Sequence, residues 1–162
     1  MSNIVKNKKR TIELTKEQFL ALLKAVYLGN WMANAYRVEG RKKEYEEIED
    51  YIFSHAKKFG FSKYVDDELM NEGRFFPTRQ FEGLTDVESL RQEYDDETFW
   101  DELIHRLAWR DVVREYGEKS VQKMDGMERV TKIDEARKKY EEIFCELGLD
   151  AVEVKDNYKN KS

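Results

Sequence analysis

This chain of 162 residues holds one cysteine, one proline and two histidines, and no apolar run in it approaches the ~20 residues that a membrane span requires. The lone thiol, Cys145, excludes an intramolecular disulfide and gives no sign of an oxidising compartment. With only His55 and His105, a zinc site would have to recruit carboxylates, and no cofactor is expected. A phosphate loop of the Gly-x-x-x-x-Gly-Lys type, a Gly-x-Gly-x-x-Gly turn and a Gly-x-Ser-x-Gly elbow are all missing. Basic excess is missing too: 29 Lys and Arg stand against 34 Asp and Glu, a formal net charge of −5. Non-specific nucleic-acid binding rests on clustered cations that displace counterions, so nucleic acid is not the expected partner. The amino terminus lacks a continuous apolar segment after its charges, and the expectation is a cytoplasmic protein without a membrane role.

What is present suits a folded chain. Hydrophobic residues make up 40% and aromatic residues 13%, too much for a disordered polymer even with 39% charged residues. At this length a domain buries on the order of 70% of the surface its unfolded form exposes. Residues 1–10, with Lys6, Lys8, Lys9 and Arg10, read as a flexible basic arm, residues 11–155 as a single helical domain, and residues 156–162 as a disordered tail.

After the arm, Thr11 to Leu14 alternate like a short strand, and Thr15 with Gln18 spells a capping box that opens a helix running to about Arg37. Apolar residues at helical spacing from Tyr45 to Phe59 give a second helix, closed by Gly60, so the two form an antiparallel hairpin. Residues 61–84 contain Gly73, Pro77 and Gly83 and read as the longest irregular stretch, with a short turn of helix after Asp66. A second capping box, Thr85 with Glu88, starts a short helix to about Tyr94, and Asp95 and Asp96 introduce a long one ending before Gly117. A last helix covers about Arg129 to Leu147 and stops at Gly148. Ala151 to Val154 alternate weakly and would pair with the amino-terminal strand. The expected fold is therefore mainly α: a single compact domain of about five helices, with a small two-stranded sheet formed by the N- and C-terminal segments.

Helix one carries the strongest functional hint. Phe19, Leu22, Leu23 and Val26 form one stripe, which Asn30, Asn34 and Arg37 continue at about 100° per residue. A stripe that turns polar along its buried face is either an internal hydrogen-bond network or a pocket wall. In the pocket reading Arg37 holds an anion, Asn30 and Asn34 read polar edges, and Tyr27 and Trp31 supply a flat surface. On the same helix, Ala21, Ala25, Gly29 and Ala33 recur every four residues, a small-residue ridge suited to close helix packing.

Other candidate surfaces lie elsewhere. The long fourth helix shows Trp100, Leu103, Ile104 and Leu107 on one side and His105, Trp109, Val112 and Tyr116 on nearly the other, so the second face is either internal or a docking surface for a partner or a second copy. The stretch Arg74, Phe75, Phe76, Pro77, Thr78, Arg79, Gln80, Phe81 interleaves arginine with phenylalanine, which can grip an acidic partner or simply plug the loop onto the core. Glu102 and His105 have the Glu-x-x-His spacing of carboxylate-bridged metal bundles, but the second such pair is lacking because Ile52 stands three residues before His55. The acidic clusters at Asp66 and Asp95 precede expected helix starts, where they complement the macrodipole without any metal.

Two segments, Leu14 to Arg37 (LTKEQFLALLKAVYLGNWMANAYR) and Glu97 to Gly117 (ETFWDELIHRLAWRDVVREYG), with Leu-Gly-x-Trp in the first and Arg-Leu-Ala-x-Arg-Asp in the second, resemble segments of small uncharacterised bacterial and phage proteins. The resemblance implies no activity. The functional expectation is a non-enzymatic cytosolic binding protein that acts through an apolar helix face and the Arg/Phe loop, with self-association or a protein partner. The alternative is a small-molecule or nucleotide-binding protein, a hydrolase among the options, with a polar pocket on helix one. No catalytic or metal-binding residue is assigned.

Overall fold

The computed structural model describes residues 10–67 and 73–153. The fold is mainly α, with six helices and one small two-stranded antiparallel sheet among the described residues. In chain order these are α1 (Lys16–Asn34), α2 (Lys43–Phe53), β1 (Val65–Asp66), β2 (Phe76–Pro77), α3 (Arg79–Leu84), α4 (Val87–Tyr116), α5 (Glu118–Lys123) and α6 (Gly126–Leu147). The chain divides into two compact units between Gln92 and Glu93. No helix among the described residues is long and apolar enough to cross a membrane.

In the first unit, α1 opens on the expected capping box: Thr15 Oγ1 accepts from Gln18 N at 3.2 Å, and Gln18 Oε1 accepts from Thr15 N at 2.9 Å. Pairing Asn34 with Lys42, Asn30 with Glu49 and Phe19 with Phe59 makes α1 and α2 an antiparallel hairpin. The expected second helix ends six residues early, at Phe53, and a 3-10 turn over Ala56–Phe59 continues to Gly60, whose φ of +80° is a conformation that glycine adopts without strain. Phe19 lies flat on Phe59 with ring centroids 3.9 Å apart. At the centre stands Phe81, fully buried, its ring edge-on to Tyr27, Phe53 and Tyr64 at 5.2–5.7 Å.

The sheet lies in another place than expected. Residues 11–15 form no strand, and Gly148–Ala151 closes as a 3-10 turn, while Val154 lies outside the described residues. Alternation over four residues is too weak to specify a strand. The two strands instead fold within the stretch read as irregular, pairing Val65 with Pro77 and Asp66 with Phe76. Thr78 then does three jobs. Its backbone N donates to Tyr64 O at 3.2 Å, its hydroxyl donates to Lys63 O at 2.7 Å, and Oγ1 accepts from Phe81 N at 3.2 Å to cap α3.

Helix α4 runs unbroken through Asp95 and Asp96, where a new start was expected. The segment has no Gly or Pro, and an aspartate inside a helix costs under about 0.7 kcal/mol relative to alanine, too little to end it. Nor does Thr85 cap this helix, because its hydroxyl donates back to Phe81 O at 2.7 Å. In the second unit Ile104, Ala108 and Val112 of α4 pack with Val121 of α5 and Ile133 and Tyr140 of α6. The Tyr140 hydroxyl donates to Asp111 Oδ2 in a short hydrogen bond and accepts from Arg110 at 2.9 Å, which ties α4 to α6 on the rim of that core. Cys145 is exposed.

The small-residue ridge is not a packing surface, since Ala21 and Ala25 are exposed and Gly29 and Ala33 only half-buried. A Cβ added to Gly29 would meet only Tyr45 Cδ1 at 3.9 Å, an ordinary contact. Gly29→Ala is therefore expected to raise stability by about 0.5–1 kcal/mol, through the glycine's cost in a helix interior and the lost freedom of the unfolded chain. Urea denaturation measures it, and an unchanged or lower midpoint would contradict the open space at this position.

Candidate ligand pocket

The polar end of α1 is both of the things its sequence allowed. Asn34, only 1% exposed, donates through Nδ2 to Asn30 Oδ1 at 2.8 Å and to Lys42 O at 3.1 Å, and its Oδ1 accepts from Lys42 N at 2.7 Å. These bonds satisfy the amide and hold the connection that leads into α2. Asn30 passes the chain on, donating through Nδ2 to Glu49 Oε2 at 2.6 Å. The network therefore ends on a carboxyl group of α2.

Glu49 is 9% exposed, and burial pushes its acid up to about 7. The hydrogen bond from Asn30 and the charge of Arg74 favour the carboxylate, but they do not offset the loss of water and the repulsion from Glu46 and Asp50. It also forms part of the wall of a cavity of about 440 Å³. From α1 come Tyr27, Asn30, Trp31 and Asn34; Arg41 and Glu46 supply a charged rim; Arg74, Phe76 and Pro77 close the side formed by β2. That volume falls in the range of about 300–1,000 Å³ typical of small-molecule sites.

The charges around the cavity are unequal. Arg41 is occupied by Glu46, with Nε to Oε1 at 2.5 Å. Arg74 makes no ion pair among the described residues and lies over the Phe76 ring, 5.0 Å from its centroid. Behind Trp31, the Arg91 guanidinium stacks on the indole at 4.9 Å and donates to the Tyr27 hydroxyl at 3.2 Å. That hydroxyl donates to Glu82 at 2.7 Å, and burial together with the Glu82 carboxylate pushes its pKa up to about 12, so Tyr27 stays neutral. Arg91 Nε is buried without a partner, and the cation's remaining contacts fix the wall rather than serve a ligand.

Four of the five expected pocket residues, Tyr27, Asn30, Trp31 and Asn34, thus line one cavity, and Arg37 does not. α1 ends at Asn34, so the stripe stops before it; the Arg37 guanidinium folds back to Ala33 O at 2.8 Å and the Tyr36 hydroxyl at 2.7 Å. A cation at a helix C-terminus finds unsatisfied carbonyls there. Glu49 escaped the sequence reading because the apolar pattern of the second helix points elsewhere. Tyr45 and Ile48 are exposed, and the buried face runs through Glu49, Phe53 and Ala56. A carboxylate four residues before the fully buried Phe53, opposite an amide stripe, was the available signal.

The expected partner surfaces are split between interior and exterior. Phe81 and Val112 belong to the cores of their separate units, and Phe75 and Tyr116 pack against those cores. Arg74, Phe76, Arg79, His105 and Trp109 remain exposed. His55 is half-buried, with Nδ1 2.9 Å from Tyr51 O and 3.0 Å from Ser54 Oγ. Among the described residues no group of three or more His, Cys, Asp or Glu side chains is placed to hold a metal ion.

No protein-family model, curated protein or solved structure matches this chain.

Proposed function

We propose that this protein is a non-enzymatic binding protein for a small molecule bearing a flat ring, held in the cavity between α1, α2 and β2. The observation that carries this reading is the placement of Glu49, a carboxyl group shielded from water yet set in the wall of a cavity that also has Trp31 and Phe76 beside it. Its Oε2 is held by Asn30, and no protein group among the described residues engages Oε1. A buried acid with one oxygen committed to positioning and the other uncommitted is suited to reading a polar edge. The rings supply apolar area, and the arginines set the rim. Docking of a partner on α4 and the Arg/Phe loop has less support, because Phe81 and Val112 are committed to folding.

The test is a panel of neutral, cationic and anionic ring compounds at millimolar concentration, followed by amide and side-chain chemical-shift mapping on the full chain. Perturbations are expected to centre on Trp31, the Asn30 side-chain amide, Glu49 and Phe76, and Trp31→Leu is expected to weaken binding at least severalfold. Shifts scattered over the surface, or none, would overturn the reading.

A further inference from the structure

We infer that the cavity takes a ring-bearing organic cation, whose charged N–H group sits on the uncommitted oxygen of Glu49. This rests on the pocket reading above and adds the charge of the ligand. Glu49 Oε2 accepts from Asn30 Nδ2 at 2.6 Å, while Oε1 has no partner among the described residues. Nor is Oε1 sealed inside the protein, because Arg91 Nε is the one fully buried side-chain nitrogen or oxygen without a partner among the described residues. It keeps access to open space, and the open space beside Glu49 is the cavity. Buried carboxylates are normally paired, so an acid placed here with an oxygen to spare is a seat for a cation.

The charges around that seat favour the same sign. Both guanidinium groups of the cavity wall are answered by carboxylates: Arg41 bonds to Glu46 at 2.5 Å, and Arg74 lines an adjoining hollow with Glu46, Glu47 and Asp50, beside Lys43. Across the two hollows four carboxyl groups stand against three cations, and Glu49 is the buried one, in no ion pair among the described residues. The groups that face it from α1 are uncharged, since Asn30 is an amide and burial beside Glu82 keeps Tyr27 neutral. Arg91, behind Trp31, is paired with Glu88 at 3.0 Å. At Glu49 itself the repulsion from Glu46 exceeds the attraction of Arg74, so the local potential is negative even near a guanidinium. A bound cation therefore stabilises the ionised acid, and Glu49 gives up its proton to solvent as the ligand arrives.

Benzamidine, benzamide and benzoate share one ring and differ in charge, and benzamidine stays a cation between pH 6 and pH 8. Their binding to the full chain, measured by calorimetry, is expected to favour benzamidine over the other two. Its affinity should be up to about tenfold tighter at pH 8 than at pH 6, the ratio of ionised Glu49 at those values. Glu49→Gln keeps an acceptor for Asn30 and removes the charge, so it is expected to bind benzamidine no more tightly than benzamide, and equally at both pH values. In the wild type, the Glu49 carboxyl carbon is expected to titrate at lower pH when benzamidine is present, a readout that needs no variant to fold. Benzamide or benzoate binding at least as tightly as benzamidine would overturn the inference and leave the ring pocket standing. So would a benzamidine preference that survives Glu49→Gln or ignores pH, since the outer carboxylates alone would then attract the cation. Failure of all three probes would remove the pocket itself, and this inference with it.

Discussion

Phe81→Ala is expected to cost roughly 3–5 kcal/mol, the largest loss from any single truncation in the first unit. The ring is fully buried and meets three other aromatic rings edge-on, from α1, α2 and the turn before β1. None of those neighbours is free to collapse into the space: Tyr27 is held by Glu82 and Arg91, and Phe53 is itself fully buried. Loss of transfer energy therefore adds to an unfilled cavity. Urea denaturation followed by circular dichroism should show the midpoint falling by more than about 1 M, given slopes of about 1–3 kcal/mol/M for small proteins. A midpoint within a few tenths molar of wild type would mean that Phe81 is not the centre of this core.

Phe81 also shows where the sequence stopped being informative. Elements specified by local chemistry were legible: the Thr15/Gln18 box, the hairpin of α1 and α2, the glycine stop at Gly60 and the last helix. α3 and the sheet were not, because both depend on Thr78 reaching Lys63 and Tyr64, partners 14 or 15 residues away that no short-range pattern encodes. Conversely, Asp95 and Asp96 carried a genuine start signal that lost to the continuity of α4, since a helix already formed extends at small cost per residue.

For the pocket, the legible part was one wall. The amide stripe on α1 pointed to a buried polar network, and Asn30 and Asn34 form it. Its terminus, Glu49, was hidden by a helix whose exposed Tyr45 and Ile48 mimic a buried stripe. Arg37 failed for a related reason: the 100° rule holds only while the helix lasts, and α1 ends three residues earlier. Arg74 and Phe76 stand out in the sequence as a loop motif, but their relation to α1 is a tertiary fact.

The second large effect is a pH dependence, and its sign follows from Glu49. Burial raises the folded-state pKa of Glu49 from 4.5 to about 7, so the native protein binds a proton more tightly than the unfolded chain over that interval. A raised value contributes stability that is fully present below about 4.5 and lost as pH rises through about 7. At roughly 1.4 kcal/mol per unit, the loss amounts to about 2–3 kcal/mol between pH 5 and pH 8. Other carboxylates act the opposite way: Asp111 beside Tyr140 and Asp86 beside Lys24 sit below their ordinary values and lose stability in acid. The difference between wild type and Glu49→Gln cancels those shared terms. The variant is expected to be more stable than wild type at pH 8 by about 2–3 kcal/mol, and the gap should shrink by about that amount as pH falls to 5. Thermal or urea unfolding of both proteins at several pH values gives the difference curve. A difference that stays constant from pH 5 to pH 8 would show Glu49 to be an ordinary solvated carboxylate, and the cavity wall would lose the group that distinguishes it.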